Sequence, residues 1–564
     1  MAGSAGSAIL SESRHRRRRS RLQPPPVGKD LSNRNTSRHW YYGLLLLIIL
    51  FSTLLRVRLL SMPLERDEGE YAYAGQLLLQ GIPPYQLAYS MKFPGTDVAY
   101  AGILALFGQS PAGIHLGLLF VNAANIVLVF FLAKRLFGPL AAVFAAASYA
   151  LLSTSESVLG FAAHATHFVV LPALAGTLLL LKAIESRRTG LYFASGLLLG
   201  LGMVMKQPGM FFIFFGGLYL LLTEPQDSID WPRLLRRLGA YSCGALLPFL
   251  LTCLWLWRAG VLHNFWFWTF SYASQYASSN SVLMAIPVLR LVGPSTLGSS
   301  AGLWVIAALG MVLLIVSRAP RSQVTFALGF LLFSFLAVCP GFYFRKHYFI
   351  LMLPAIALLA GFAVAWPAEW LSRRGLGWLA AAPALVFLAV CGYSIADRGD
   401  FLFRMDPESA CRSIYAPNPF PEALKIADYI QSHTPPDARI AVLGSEPEIY
   451  FYSHRHSATG FIYTYELMEE QKFASTMQQH MIRDIETVKP EFLVLVNVSY
   501  SWFVRPRSDT TIFDWAKKYL EENYELVGLA DIARGRTEYR WDEDARARPQ
   551  ASTNNVEVFR RKRS

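Results

Sequence analysis

Long apolar segments constrain this chain more than any other feature of its sequence. Runs close to the roughly 20 residues that an α-helix needs to cross a bilayer recur between residues 42 and 395. Only 16% of the residues are charged, whereas soluble domains carry about a quarter. The runs are also far longer than the ~10-residue alternating strands of a membrane β-barrel. The sequence therefore predicts a polytopic α-helical membrane protein.

Length and hydropathy predict about eleven transmembrane helices. They are placed at residues 42–60, 112–133, 139–157, 164–183, 190–206, 209–223, 238–256, 297–317, 323–340, 347–365 and 377–395. Alternate loops each carry at least two basic residues, such as Lys134 with Arg135 and Arg373 with Arg374. Because basic loops stay in the cytoplasm, we expect the N-terminus inside and the C-terminal end outside. The transmembrane domain is assigned to residues 39–395.

The first 38 residues form a separate region in this scheme. They are rich in Ser, Arg, Pro and Gly and include the run Arg16–Arg19, which is typical of a disordered basic cytoplasmic tail. This tail and the short loops hold much of the net charge of +13. The charge is therefore explained by membrane topology and membrane lipids, and no nucleic-acid partner is expected.

The composition changes again after residue 396. Short β-rich runs at 439–444 and 492–497 alternate with the helical patterns 420–432, 466–487 and 511–522. This alternation predicts a small C-terminal α/β domain at residues 396–564. The charge-derived topology makes that domain extracytoplasmic.

The first outer loop, residues 61–111, holds the most unusual charges. Asp67, Glu68 and Glu70 follow directly after the first apolar segment. Ionisable groups at the mouth of a membrane span are functional candidates, although an ordinary solvated loop is an alternative. Helical spacing places Asp67 and Tyr71 on one side, which predicts an amphipathic helix lying along the membrane surface. In this arrangement Asp67 could act as a general base.

Several cations could meet a phosphate at the outer end of the bundle. Lys92 closes the first outer loop, Lys206 lies between two apolar runs, and Arg345 and Lys346 precede the tenth predicted span. Arginine and lysine both bind phosphates. Lys92 could instead be a snorkelling interfacial residue, Lys206 could mark a tight outer turn, and Arg345 with Lys346 could be interfacial anchors.

Two histidines lie at the outer start of the fourth predicted span. His164 and His167 are three residues apart, a spacing at which they could share a metal ion. A metal centre would need more ligands than these two. A hydrogen-bonded polar lining is the favoured interpretation, so no metal ligand and no cofactor is assigned, while a divalent metal stays open.

These motifs resemble those of integral-membrane glycosyltransferases of the GT-C type. The basic tail, the single span and the outer loop with Asp67–Glu68 and Tyr71–Ala72 are most similar to bacterial relatives of protein O-mannosyltransferases and of the lipid A aminoarabinose transferase. Lys92-Phe93-Pro94 is similar to the Lys-Pro element of that family. The segments 200–209 and 343–359 are similar to its glycine-rich span and to its late span with a central proline. The resemblance covers about residues 40–395.

The resemblance implies an enzyme that moves a sugar from a polyprenyl-phosphate donor to a hydroxyl acceptor on the outer face of the membrane. Asp67 would be the base, with Glu68 as its orienting neighbour in the catalytic site and Glu70 at the surface. The reaction would invert the anomeric carbon. The remaining roles that it implies fall to donor-phosphate ligands (Lys92, Arg345, Lys206, Lys346) and to acceptor or cavity lining (Tyr71, His164, His167, His347). The localisation implied is a bacterial inner (plasma) membrane.

The sequence departs from the family at one place, and two other function classes remain. Many members carry a second acid near His164, so the acceptor and any metal role stay open. A transporter or flippase of lipid-linked sugars is the main alternative, but such proteins typically show internal repeats with paired broken helices, which this sequence lacks. A scaffold protein acting through the C-terminal domain would leave the acidic loop without an explanation.

Overall fold

The computed structural model describes residues 40–223, 230–278, 280–533, 536–547 and 552–563, so the predicted basic tail at 1–38 lies outside the described residues. The N-terminal part is helical. Its helices are α1 (Trp40–Val57), α2 (Arg66–Leu79), α3 (Gly95–Phe107), α4 (Pro111–Phe137), α5 (Pro139–Leu152), α6 (Ala165–Ser186), α7 (Thr189–Met205), α8 (Met210–Leu222), α9 (Trp231–Arg258), α10 (Leu262–Trp266), α11 (Ala273–Ser278), α12 (Val282–Leu297), α13 (Ala301–Val316), α14 (Arg321–Leu336), α15 (Leu353–Arg373) and α16 (Ala382–Asp397).

Within the described residues, seven helical segments are long and apolar enough to cross a membrane. They are Trp40–Val57, Pro111–Phe137, Ala165–Ser186, Trp231–Arg258, Val282–Val316, Lys346–Arg373 and Gly377–Asp397, and five shorter apolar helices accompany them. The predicted polytopic helical class is therefore confirmed. A helix overlaps each of the eleven predicted spans, but eleven as the number of crossings stays a prediction.

The helix that carries the acidic residues is buried in the protein, and its predicted position along a membrane surface stays a prediction. Residues 68–77 of α2 are all buried. The C-terminal part of the chain covers the face that was expected to be wet: a Cβ on Gly69 would lie 2.6 Å from the backbone nitrogen of Glu448. The contact is close enough that only glycine fits at this position. The amphipathic pattern did not indicate this covering, because a local pattern cannot show a partner over 370 residues away in sequence.

Close helix packing fixes the position of α7 and of Lys206, which follows it. A Cβ on Gly200 would lie only 2.3 Å from the carbonyl oxygen of Ala245, so α7 and α9 touch backbone to backbone. Small residues allow such approaches between membrane helices. The glycine-rich end of α7 thus holds Lys206, its C-cap residue, at a defined place.

The C-terminal part combines helices with one mixed sheet. Its elements are α17 (Gly399–Phe403), α18 (Pro407–Tyr415), α19 (Phe420–Ser432), β1 (Arg439–Leu443), α20 (Glu448–Ser453), β2 (His456–Ser457), α21 (Tyr465–Met468), α22 (Ala474–Val488), β3 (Phe492–Asn497), α23 (Ser499–Trp502), α24 (Thr511–Asn523), β4 (Tyr524–Ala533), β5 (Arg536–Trp541), α25 (Glu543–Ala547) and β6 (Asn555–Arg561). The six strands follow the order β2-β1-β3-β6-β4-β5. The pairs of β1 with β2 and β3 are parallel, and the other pairs are antiparallel.

The two predicted strands are confirmed as β1 and β3, but the single helix predicted at 466–487 is wrong. The structure divides it into α21 and α22. Gln471 makes the break: its Nε2 donates to the carbonyl of Glu466, and its Oε1 accepts from the backbone N–H of Phe473. These side-chain bonds replace helical ones and turn the chain. Glu466 in α21 lines the cavity described below.

Candidate active site

A cavity of about 610 Å³ lies between the helical part and the C-terminal domain. Its charged and histidine lining residues are Glu65, Arg66, Asp67, Glu70, Lys92, Lys206, Arg345, Lys346, His347, Glu466 and Glu469. Its aromatic lining residues are Tyr272, Tyr276, Tyr348, Tyr415, Phe420, Tyr463, Tyr465, Tyr500 and Phe503. A cavity of this size is typical of small-molecule sites.

Three consecutive charged residues at the start of α2 contact three different parts of the protein. Arg66 bonds to the C-terminal domain, Asp67 lines the cavity, and Glu68 points towards α4 and the start of α6. Successive helical residues are about 100° apart, so three neighbours necessarily face three directions. Glu65 caps the helix through a reciprocal capping box with Glu68. The cap fixes the first turn and with it the direction of each side chain.

Arg66 is held entirely by the C-terminal domain. Its guanidinium donates to Glu446 Oε1 over 2.9 Å, to the Tyr465 hydroxyl over 2.6 Å and to Asn418 Oδ1 over 3.0 Å. It also donates to the carbonyl of Ser445. Glu446 is fully buried, so this is an ion pair shielded from water. The residue before Asp67 thus attaches α2 to the C-terminal domain.

Asp67 is the carboxylate at the centre of the charged side of the cavity. Lys92 Nζ donates to its Oδ1 over 3.0 Å, and the Tyr463 hydroxyl lies 3.5 Å from the same oxygen. Burial alone would raise the pKa of Asp67, but the Lys92 ammonium and His164 hold it well below the usual range. Asp67 is therefore an ionised carboxylate, the protonation state that a general base requires.

Lys92 lies between two carboxylates, and this corrects the expectation for Glu70. The ammonium donates to Glu70 Oε2 over 2.6 Å as well as to Asp67, and Ser90 donates to Glu70 Oε1. Glu70 is 5% exposed, so it is a buried ion-pair partner and not a surface residue. The ring of Tyr71 lies below the ammonium, 4.5 Å from Nζ. Two carboxylates already balance the charge of Lys92.

Glu68 does not line the cavity. It is fully buried, accepts a 2.6 Å hydrogen bond from the backbone N–H of Ala163 and lies 3.0 Å from Nε2 of His115. His115 in turn contacts the carbonyl of Leu60. The position of Glu68 supports an orienting role, since it connects α2 to α4 and to the segment before α6.

The other predicted cations line the cavity without a carboxylate partner in the described part of the chain. Lys206 Nζ lies 4.3 Å above the ring of Tyr348, and the guanidinium of Arg345 lies 5.6 Å from the ring centre of Tyr343. Lys346 lies beside Arg345 on the same wall. A cation held against an aromatic ring has no ion pair to break before it binds an anion.

The histidines form an arrangement that their sequence spacing did not predict. His164 and His347 stack with ring centres 4.2 Å apart, and each has a nitrogen within 3.7 Å of Asp67 Oδ2. His167, in contrast, is buried, does not line the cavity and contacts Asn125 only through its backbone carbonyl. One ligand atom each from Asp67, His164 and His347 lies within 4.8 Å of the others.

Residues from the C-terminal domain were missed by the sequence analysis. Tyr463, Tyr465, Glu466 and Glu469 line the cavity, yet nothing in their local pattern distinguishes them from an ordinary α/β domain. Glu65 was also missed, although it directly precedes the acidic run. Burial raises the pKa of Glu65 to about 7. This carboxyl would have been included only if the acidic motif had been taken to begin two residues earlier, at Glu65.

A segment of the chain that contributes residues to this cavity matches a known family. Residues 92–257 match the family model described as dolichyl-phosphate-mannose-protein mannosyltransferase. They match a glycosyltransferase family. The matched segment starts at Lys92 and includes Lys206, but it covers less than half of the chain. No curated protein is significantly similar to the chain in sequence.

Solved structures of GT-C enzymes share the fold. ArnT from Cupriavidus metallidurans bound to undecaprenyl phosphate has a TM-score of 0.56 at 16% identity, covering 93% of this chain and 98% of that one. Archaeoglobus fulgidus AglB in complex with an inhibitory peptide and a dolichol-phosphate has a TM-score of 0.50 at 13% identity, with 91% and 75% covered. The A. fulgidus oligosaccharyltransferase complex with Zn and sulfate has a TM-score of 0.50 at 13% identity, with 88% and 73% covered. The resemblance to the GT-C type that the motifs indicate is confirmed.

Proposed function

We propose that this protein is an inverting glycosyltransferase that moves a sugar from a polyprenyl-phosphate donor to a hydroxyl acceptor. The observation that carries the proposal is the ionised Asp67 carboxylate in a cavity that also holds cations without carboxylate partners. A base and a phosphate site in one cavity are the two parts that such a transfer requires. The fold neighbours bound to undecaprenyl phosphate and dolichol-phosphate support a lipid-phosphate donor.

Asp67 is the base in this proposal. It accepts the proton of the acceptor hydroxyl while the hydroxyl oxygen attacks the anomeric carbon from the side opposite the lipid phosphate. The bond to the phosphate oxygen breaks, and the phosphate leaves with both bonding electrons. Such a base contributes about 100- to 10,000-fold to the rate. Lys92 and Tyr463 hold the carboxylate in place, and Glu68 fixes the turn of α2 that carries it.

Arg345, Lys206 and Lys346 are the proposed ligands of the leaving phosphate. None of the three forms an ion pair within 4.0 Å in the described part of the chain, whereas Lys92 already contacts Asp67 and Glu70. A planar guanidinium can bind two phosphate oxygens at once. Lys92 is therefore assigned mainly to Asp67, which refines the role that the family resemblance implied.

The Asp67, His164 and His347 cluster fits a divalent transition metal. Nδ1 of His164 lies 3.5 Å from Glu65 Oε1 and 3.6 Å from Asp67 Oδ2, and its buried Nε2 has no hydrogen-bond partner in the described residues. Two nitrogens with one carboxylate oxygen form a donor set that suits zinc. The A. fulgidus relative in complex with Zn supports this assignment. A bound ion would supply Lewis-acid stabilisation of negative charge near the acceptor. His164 and His347 would orient Asp67 in either case.

The proposed setting is the outer face of a bacterial inner membrane. The charge-derived topology places the N-terminus in the cytoplasm and residues 396–564 outside, and the cavity lies beneath that domain. Aromatic residues of the C-terminal domain form much of the wall that an acceptor would meet. Tyr71 and His167 are buried and do not line the cavity, and Tyr71 supports Lys92 through its ring.

The stereochemistry of the product tests the proposed reaction. Purified protein in lipid nanodiscs is supplied with undecaprenyl-phosphate sugars of known anomeric configuration and with envelope glycolipid as acceptor. Nuclear magnetic resonance of the product should show the opposite configuration at the anomeric carbon. A product that keeps the donor's configuration, or the absence of transfer from every donor in a panel of hexoses and pentoses, would contradict the proposal.

A further inference from the structure

One carboxylate oxygen in the cavity has no hydrogen-bond partner in the described part of the chain. Glu466 lies in α21, lines the cavity and is only 7% exposed. Its Oε2 is buried without a hydrogen-bond partner in the described residues. A buried polar atom without a partner costs about 1–3 kcal/mol, so native proteins rarely keep one without a reason.

The neighbouring carboxylates of the cavity are satisfied, which makes Glu466 the exception. Glu469 accepts a 2.7 Å hydrogen bond from the Tyr272 hydroxyl and faces Arg505 at 3.7 Å. Glu70 and Asp67 share Lys92. Lysine and arginine side chains line the same cavity, but none lies within 4.0 Å of the Glu466 carboxylate in the described part of the chain. The unpartnered oxygen of Glu466 is therefore available to hydrogen-bond a group that enters the cavity.

The wall shared with Glu466 has an irregular backbone. Residues Phe267–Tyr272 form a π-helix, and Thr269 and Tyr272 from this turn line the cavity. π-Helical turns are rare and occur frequently at functional sites, because the extra residue redirects side chains. The turn brings Tyr272 into the cavity, where its hydroxyl is bonded to Glu469 and therefore not to Glu466.

The charge around Glu466 favours a neutral carboxyl. Burial first, and then the carboxylates of Glu469 and Glu70, raise its pKa well above the usual range. A protonated carboxyl offers one O–H donor and keeps an acceptor oxygen. This combination matches neighbouring hydroxyl groups on a sugar ring, each of which can donate and accept.

We propose that Glu466, as a neutral carboxyl, hydrogen-bonds hydroxyl groups of the sugar carried by the lipid-phosphate donor. It is then a specificity residue in the same cavity as the proposed phosphate ligands. This inference rests on the proposed function, because it assumes a donor that carries a sugar. It adds to that function a residue that distinguishes a glycosylated lipid phosphate from the bare one.

Binding measurements without turnover test this assignment separately from the transfer reaction. Full-length protein in nanodiscs is titrated with undecaprenyl phosphate and with undecaprenyl phosphates carrying glucose, mannose or an aminopentose. Three variants are compared with the wild type: Glu466→Gln, Glu466→Leu and Glu466→Asp. The first keeps a donor and an acceptor, the second removes both, and the third withdraws the carboxyl by one methylene.

Glu466→Leu and Glu466→Asp should weaken binding of a sugar-bearing donor by about tenfold, the equivalent of one hydrogen bond, and leave the bare lipid phosphate unaffected. Glu466→Gln should bind like the wild type. The inference is overturned if no sugar-bearing donor binds the wild type more tightly than the bare lipid does. Equal losses for both ligands would also overturn it, since Glu466 would then be structural. If Glu466→Gln loses binding as Glu466→Leu does, selectively for the aminopentose, the charge is required and the neutral hydroxyl assignment is wrong.

Discussion

Arg66 Nη2 lies 2.9 Å from Oε1 of Glu446, which joins the helix of the candidate base to the C-terminal domain. Asp67 is the next residue along the chain, so the position of the base depends on a contact made outside the transmembrane helices. The two side chains are 8% and 0% exposed. The C-terminal domain is therefore a structural part of the candidate active site and not an appendage.

Replacing Arg66 should destabilise the whole protein. Arg66→Met leaves Glu446 as an uncompensated buried charge, and breaking such a pair costs about 3–5 kcal/mol. Arg404→Met is the matched control, since its pair with Asp400 is 81% and 69% exposed and should contribute only about 0–1 kcal/mol. Thermal unfolding in detergent measures both. Equal melting temperatures for the two variants would contradict the buried pair as a fixed attachment of α2.

Replacing either proposed phosphate ligand should weaken donor binding. Lys206→Met and Arg345→Met should each reduce affinity for undecaprenyl phosphate by about tenfold or more, because a hydrogen bond to a charged group contributes roughly 1.5–3 kcal/mol. Lys425→Met is the control for Lys206. Lys425 also lies over a tyrosine, 4.2 Å from the ring of Tyr539, but it does not line the cavity. Unchanged binding by both cavity variants would contradict Lys206 and Arg345 as phosphate ligands and leave Lys346 and Lys92 as the remaining lysines of the cavity.

Metal binding should depend on the two stacked histidines. Protein purified with zinc is expected to retain about one ion per chain by elemental analysis. The cluster of Asp67, His164 and His347 offers three protein ligands, the number that a catalytic zinc site needs. His347→Ala should lose the ion, while His480→Ala, an exposed histidine far from Asp67, should keep it. Zinc content that does not differ between the variants would rule out the cluster as a metal site and leave both histidines as orienting groups.

The fold class could be predicted from sequence because hydropathy reports directly on the solvent around each helix. Every predicted span overlaps a helix, and β1 and β3 are where the apolar runs indicate. The position of α2 could not be predicted. Its amphipathic pattern is real, but the polar face that suggested water contacts Lys92, His115 and the C-terminal domain instead. A local pattern separates polar from apolar residues without distinguishing water from a polar protein partner.

The candidate site likewise contains residues that could be predicted from the sequence and residues that could not. The family resemblance led to Asp67, Lys206 and Arg345, and the structure brings all three to one cavity. It could not lead to Tyr463 or Glu466, because they follow an ordinary turn in a domain that the resemblance does not cover. His347 was placed in the cavity, but its stacking on His164 depends on two helices meeting, a tertiary contact that spacing along one helix cannot show.

The activity of the Asp67→Asn variant tests the proposal that Asp67 is the base of the transfer reaction. The asparagine keeps the size of the side chain and cannot accept the proton, while Asp400→Asn at an exposed position controls for loss of a carboxylate. Donor binding and single-turnover transfer are measured on the same nanodisc samples. We expect Asp67→Asn to bind undecaprenyl phosphate and to transfer sugar about 100- to 10,000-fold more slowly than the wild type. Transfer at the wild-type rate by a well-folded Asp67→Asn protein would show that Asp67 is not the base.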